Sequence, residues 1–155
     1  MLGSNRFRPY IPPAGTHTAV VPGGRILKLT ARNAAQLEAE IERGLPPSSL
    51  KLLADAAGLS FQALAPAIGL SYSTLNRRKA AQDRLDGDQS ARAYRFARLF
   101  ERAAEVLGGD DAARSWLREP LLPLGNRSPL EALRSDLGAE RVTQLLERLD
   151  DGVYS

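Results

Sequence analysis

From residue 46 onward the sequence is divided into short segments that each carry the start and stop signals of a helix. Ser60 and Ser71 precede two of these segments, and serine is a favoured cap because its hydroxyl accepts a bond from a free backbone N–H. Gly58 and Gly69 follow segments, and glycine readily adopts the left-handed backbone with which helices end. This regular punctuation predicts a mainly α-helical fold.

The same signals set the remaining helix boundaries. We expect Asp88 to cap a long helix and Gly108 to end it. A later helix is expected to begin after Ser128 and to end at Gly138, and the last helix is expected to end at Gly152.

Residues 1–45 have a different character. Prolines near the start predict a flexible arm, and the segment TAVVPGGRILKLT predicts a short β-hairpin that turns at PGG. Asn33 is then expected to cap a helix. A hairpin and one helix are too small to fold alone. We therefore expect this unit to pack on its neighbour or on a second copy, which makes it a candidate dimerisation element.

The segment FQALAPAIGLSYSTLNRRKA has the spacing of a DNA-binding helix-turn-helix. Its fifth residue, where the two helices cross, must be small and is Ala65. Its ninth residue, in the turn, is Gly69, which tolerates the positive φ favoured there. We therefore assign residues 46–107 to a helix-turn-helix domain.

The second helix of this unit would present polar and basic side chains to DNA. Arginine can pair with guanine and asparagine with adenine, whereas hydroxyls and lysine can hold phosphates. Specific operators are usually read by two such units one DNA turn apart, so a homodimer is expected. The candidate DNA-binding residues are Gln62, Ser71, Tyr72, Ser73, Thr74, Asn76, Arg77, Arg78 and Lys79.

Two alternatives to DNA binding stay open from the sequence. An ordinary helical hairpin with a solvated basic face would have similar spacing. Pro66 also removes a backbone hydrogen bond inside the first helix. It would kink or shorten that helix, as expected for a unit that no longer binds DNA.

Composition and charge narrow the function. The net charge is +4 over residues 61–100 and −4 over residues 101–155. This difference suggests two different partners, and random scatter of charge on solvated surfaces is the alternative. The chain has no cysteine and one histidine, His17, and no recognisable catalytic or metal-ligand motif. We therefore expect a cytoplasmic protein that is not an enzyme, with no cofactor, metal or membrane partner.

Several motifs of the second half occur together. They are Trp116-Leu117 followed by Pro120, the segment LGNRSPLEAL, and the terminal GVYS. With the helix-turn-helix, they resemble the Xre/MbcA/ParS-type antitoxins of bacterial type II toxin–antitoxin systems over about residues 50–155. The family usually has a second glycine where this chain has Asn126, which tolerates the same left-handed backbone.

The resemblance implies a bacterial antitoxin that represses its own operon and inhibits a cognate RES-family toxin. Such toxins resemble ADP-ribosyltransferases and consume NAD. Residues 108–155 would form a small helical toxin-binding domain whose C-terminal end covers the toxin's active site. The residues implicated in toxin binding are Arg148, Asp150, Asp151, Gly152, Val153, Tyr154 and Ser155.

Physical chemistry is consistent with a role for the C-terminal end in binding. The clustered acids and the terminal carboxylate would suit a positive pocket, and a buried Tyr154 would remove roughly 150–250 Å² from water. Alternatively, Tyr154 folds back on the last helix. A stand-alone helix-turn-helix regulator, whose C-terminal half dimerises or binds another partner, is the alternative function.

Overall fold

A computed structural model describes residues 21–152. This part of the chain is mainly helical, as predicted, and its only β-type pairing is an isolated bridge between Leu121 and Arg127. A 3₁₀ turn covers Leu122–Leu124. The α-helices are α1 (Gly24–Leu27), α2 (Ala34–Arg43), α3 (Ser48–Ala57), α4 (Phe61–Ala67), α5 (Tyr72–Ala81), α6 (Gly87–Leu107), α7 (Asp110–Leu117), α8 (Pro129–Ala132) and α9 (Asp136–Asp150).

Helix α6 is the centre of the fold. It contacts α1, α2, α3, α7 and α9. Its buried residues recur at intervals of three and four, as in Ala93, Phe96, Ala97, Phe100 and Ala103, so one continuous stripe faces the core. The two phenylalanines are almost fully buried. At about 25 cal/mol for each Å² of apolar surface removed from water, the burial of each ring stabilises the fold by a few kcal/mol.

The predicted β-hairpin is wrong in the part that the structure describes. Its second run forms helix α1, because the carboxylate of Glu101 accepts hydrogen bonds from the backbone N–H groups of Gly23 and Ile26. These bonds satisfy amides at the start of the helix. The hydroxyl of Tyr94 also donates to the carbonyl of Pro22 at 2.6 Å. The hairpin's first run lies mostly outside the described residues.

Two other predicted helix boundaries are also wrong. Asp86, rather than Asp88, caps α6, and its carboxylate and the side chain of Gln89 form a reciprocal capping box. Gly138 does not end a helix but lies in the first turn of α9, which Ser135 caps. A Cβ on Gly138 would lie 1.9 Å from the carbonyl oxygen of Ala132, so this glycine permits the close approach of α8.

The other helix signals are confirmed. Asn33, Ser60, Ser71 and Ser128 each accept a hydrogen bond from a backbone N–H in the first turn of the helix that follows. Helix α9 ends at Asp150, and Gly152 adopts a left-handed backbone with φ +71°.

Polar contacts fasten the C-terminal helices to the preceding ones. Arg114 on α7 donates from Nε to the carbonyl of Ala56 at 2.8 Å, and Arg118 donates to the carbonyl of Gly58. Both carbonyls lie at the C-terminal end of α3, where carbonyl groups have no N–H partner within the helix. Helix α8 also contacts α4, so the two halves of the described chain share one core.

Within residues 21–152, no helix has the length and apolar character required to cross a membrane. No cluster of three or more potential metal ligands occurs there either.

Candidate nucleic-acid and partner-binding surfaces

Helices α4 and α5 have the packing that the helix-turn-helix spacing predicts. Leu64, Ala65, Ile68 and Leu75 are completely shielded from solvent, so the small residue lies where the helices cross. Gly69 has φ +69°, a backbone conformation that residues with a Cβ rarely adopt. The two helices therefore pack as one unit, and one side of α5 faces solvent.

The first helix of the pair is short and contains Pro66. Helix α4 has seven residues and ends at Ala67. Beyond the proline, the backbone N–H of Ile68 is shared between the carbonyls of Leu64 and Ala65 at 3.3 and 3.2 Å. The helix therefore tightens at its C-terminal end, and Gln62 stays exposed in its first turn.

Most of the predicted DNA-binding residues lie on the accessible side of α5. Tyr72 is 48 % exposed although it is aromatic, and Thr74 and Asn76 are half-buried beside it. The Ser71 hydroxyl is engaged as the helix cap and donates to Thr74 Oγ1 at 2.8 Å. The exposed members of the predicted set are Gln62, Ser71, Tyr72, Ser73, Arg77 and Lys79.

The basic residues of α5 differ in their contacts. Arg78 is half-buried, and its Nη1 donates to the carbonyl of Arg84 at 2.7 Å, which fixes the loop after α5. The ammonium of Lys79 lies 4.4 Å from the ring centroid of Phe61, a favourable cation–π distance. Arg77 is exposed and makes no such contact with residues 21–152. Arg77 is therefore the basic side chain of α5 that is most available to a ligand.

The segment between α7 and α9 is held by local hydrogen bonds. Ser128 and Glu131 form the predicted capping box at the start of α8. Gly125 and Asn126 both adopt left-handed backbone, with φ +68° and +59°, so asparagine does replace glycine at this turn. Leu124, just before it, is 2 % exposed and anchors the loop in the core.

The predicted toxin-binding residues surround the end of α9. Asp150 forms an ion pair with Arg102 on α6, which also pairs with Glu105 at 3.1 Å. Arg148 and Asp151 are exposed and make no side-chain hydrogen bond or ion pair within residues 21–152. Gly152 is the last residue that the structure describes. The predicted residues that lie beyond it are Val153, Tyr154 and Ser155.

Two exposed leucines in this half were missed by the sequence analysis. Leu122 is 79 % exposed in the 3₁₀ turn, and Leu137 is 61 % exposed in the first turn of α9. Leu137 lies outside the apolar stripe of its helix, and this position could have predicted from the sequence that the side chain is exposed. The sequence around Leu122 contained no comparable signal. Leu124 lies in the same short segment and is buried, so the residue type alone does not distinguish the two leucines.

Comparison with known proteins decides the family. The model of the antitoxin Xre-like helix-turn-helix domain matches residues 36–98, and that of the antitoxin Xre/MbcA/ParS C-terminal toxin-binding domain matches residues 102–152. An antitoxin Xre of Yersinia enterocolitica is 30 % identical over 150 residues, which cover 96 % of this chain and all of the relative. The chain belongs to the Xre/MbcA/ParS antitoxin family.

Two further relatives match a smaller part of this antitoxin. An antitoxin Xre of Photorhabdus laumondii is 25 % identical over 135 residues, which are 86 % of this chain and 91 % of the relative. A protein of a Sphingobium strain named Prs ADP-ribosylating antitoxin is 27 % identical over 124 residues, 74 % of this chain and 78 % of its own length. The two matched domains of this antitoxin meet inside α6.

Proposed function

We propose that this antitoxin binds and inhibits a cognate RES-family, NAD-consuming toxin and represses its own operon in the bacterial cytoplasm. It acts by binding alone, without catalysis or a cofactor. The observation that carries the proposal is the arrangement of a helix-turn-helix and a toxin-binding domain along one continuous helix, α6.

For toxin binding, the support lies at the end of α9. The pairing of Asp150 with Arg102 holds the last turn of α9 against α6. Arg148 and Asp151 are exposed there. We assign toxin contact to Arg148, Asp151, Gly152 and the three terminal residues, with Tyr154 as the apolar anchor. A pocket that accepts the phosphates of NAD would be positive and would attract the acids.

The RES assignment is supported by the family resemblance. The name of the Sphingobium relative joins ADP-ribosylation to the word antitoxin and names no toxin. A toxin whose NAD pocket is positive is the partner that we expect to fit the acidic end of this chain best.

DNA binding is supported by the exposed face of α5. Recognition helices insert their N-terminal residues into the major groove, and Ser71, Tyr72 and Ser73 occupy that end of α5 in exposed positions. Arg77 lies one turn further along. Lys79 and Gln62 are exposed and would be available to phosphates, whereas Arg78 supports the loop after α5.

A homodimer is proposed from the requirement for two DNA half-sites. Helix α2 is the best candidate surface, because its apolar residues Leu37 and Ile41 pack against the core and yet stay only half-buried. A second copy would cover the part of this stripe that remains exposed.

Co-expression tests the antitoxin role. The open reading frame adjacent to the gene for this chain, which we expect to encode the toxin, is induced with and without the antitoxin, and growth and cellular NAD are measured. Expression of the toxin alone should arrest growth and deplete NAD, and the antitoxin should restore both. Restored growth without an NAD change at any stage would exclude the NAD-consuming toxin. Unrelieved arrest would exclude inhibition.

A further inference from the structure

A cleft lies between the helix-turn-helix and the C-terminal helices, at the turn that joins α4 to α5. Its volume is about 190 Å³. One wall comes from the helix-turn-helix turn and α6, and the other from the α8–α9 junction. The lining residues are Gly69, Arg92, Arg95, Leu133, Arg134, Ser135 and Asp136.

Arg92 rests directly on the helix-turn-helix turn. A Cβ at Gly69 would lie 2.5 Å from Nη1 of Arg92, so the absence of a side chain at Gly69 makes room for the guanidinium. The same nitrogen lies 3.5 Å from the carbonyl oxygen of Gly69. Helix α5 begins three residues later, at Tyr72. A positive charge is therefore held beside the end of α5 that would face DNA.

Among residues 21–152, the one acid that lines the cleft, Asp136, is already paired. Arg95 donates to the carboxylate of Asp136 at 2.7 Å. This hydrogen bond, with the charges of Arg95 and Arg92, holds the pKa of Asp136 below its usual value. Arg134 is exposed and has no side-chain hydrogen bond or ion pair within residues 21–152. Three guanidinium groups thus face one carboxylate, which leaves the cleft positive.

We propose that Arg92, Arg95 and Arg134, here called the arginine cleft, bind phosphates of the DNA backbone next to the bases that α5 reads. The proposal rests on the proposed DNA-binding function. Guanidinium groups match phosphate oxygens in geometry and remain charged at any physiological pH. Phosphates flank every base contact of a recognition helix, so a positive cleft at the N-terminal end of α5 lies where the backbone passes.

One consequence concerns the C-terminal domain. Arg134 lies between α8 and α9, within the segment matched to the toxin-binding domain. A phosphate in the arginine cleft would contact both domains. The DNA footprint would then extend beyond the helix-turn-helix, and DNA would help to fix the position of the toxin-binding domain.

The test compares two arginine substitutions in the full chain. Binding to a fluorescein-labelled duplex from the DNA directly upstream of the gene is measured by anisotropy at several salt concentrations. Arg134→Ala should raise Kd roughly 3- to 10-fold and reduce the salt slope by about one. Arg141→Ala removes the same charge from an exposed site on α9 outside the cleft and should leave both quantities unchanged.

The outcomes separate this inference from the function on which it rests. If the unmodified chain shows no salt-dependent binding, the proposed DNA-binding function itself fails. If it binds, but Arg134→Ala behaves like Arg141→Ala, the arginine cleft does not contact phosphate. If Arg134→Ala weakens toxin inhibition and leaves DNA binding intact, the cleft belongs to the toxin interface and the inference is overturned.

Discussion

Arg102 on α6 and Asp150 in the last turn of α9 form an ion pair between residues 48 positions apart in the sequence. An acid at the C-terminal end of a helix opposes the helix dipole, at a cost of roughly 0.3–1 kcal/mol. The pair with Arg102 offsets that cost. Asp150 therefore has a structural role in the isolated chain, in addition to any contact with a toxin.

We predict that Asp150→Asn lowers the free energy of unfolding only slightly. Both side chains are more than two fifths exposed, and exposed pairs contribute about 0–1 kcal/mol. Urea denaturation measures the change. Asp151→Asn is the matched control, because Asp151 is exposed and makes no side-chain contact within residues 21–152. An equal loss in both variants would show that the pair does not stabilise the fold.

We predict that removing Val153, Tyr154 and Ser155 abolishes toxin inhibition while the thermal unfolding temperature stays unchanged. The core residues of α9 nearest the end, Leu145 and Leu146, belong to the described cluster and keep their contacts. Growth rescue at matched antitoxin levels measures inhibition, and circular dichroism measures unfolding. Intact rescue would place the toxin contact elsewhere. A large drop in the unfolding temperature would favour the alternative in which Tyr154 folds back on the domain.

Gly138→Ala should destabilise the protein by roughly 3 kcal/mol, because an added Cβ would collide with the carbonyl oxygen of Ala132 and force α8 away from α9. Gly87→Ala is the control. No heavy atom lies within 4 Å of a Cβ placed there, and the substitution restricts the unfolded chain, so a gain of about 0.4–1 kcal/mol is expected. Chemical denaturation of the two variants should therefore give changes of opposite sign.

Arg77→Ala and Arg78→Ala should have different effects, although the two residues are adjacent. Arg77→Ala should weaken operator binding in anisotropy assays and leave the unfolding temperature unchanged, because its side chain is exposed. Arg78→Ala should lower the free energy of unfolding by about 1 kcal/mol, since the carbonyl of Arg84 loses its donor. Identical thermal stability of both variants would contradict the structural role of Arg78.

The stability of the protein at acid pH should depend in part on Asp136. Its pKa is held below the usual value mainly by the hydrogen bond from Arg95. This contribution is therefore complete above the ordinary aspartate pKa and disappears as the pH falls through the lowered one. Asp136→Asn should flatten the acid side of a plot of unfolding free energy against pH. The change will be small because the carboxylate is exposed. Asp151→Asn serves as the control.

The sequence predicted those features whose causes are local. Helix caps such as Ser71 and the left-handed turn at Asn126 depend on neighbouring residues, and the small residue Ala65 follows from the spacing of one motif. Helix α1 could not be predicted in this way, because the carboxylate that stabilises it belongs to Glu101, 78 residues beyond Gly23. At Gly138 the clashing carbonyl belongs to Ala132, only six residues earlier, but its approach depends on how α8 packs on α9 and not on the residue types of the segment.

The candidate sites show the same division between features with local causes and features that depend on the fold. The spacing identified which side of α5 is exposed, but the different roles of Arg77 and Arg78 follow from the loop that folds back to Arg84. The arginine cleft was invisible in the sequence, because its walls are brought together only when α8 packs on α4. The sequence analysis assigned Asp150 to toxin binding, and the fold adds Arg102 as its partner within the chain.

Helix α6 begins beside the helix-turn-helix and ends beside α7 without a break. A 21-residue helix is about 30 Å long, and α7 is tied back to α3 by Arg114 and Arg118. A flexible tether would let a bound toxin rotate freely above the DNA. If the proposed function holds, this continuous helix sets one angle between the DNA groove that α5 would enter and the direction in which a toxin would dock. Toxins bound to neighbouring operator half-sites would then be spaced and oriented by the pitch of the double helix itself.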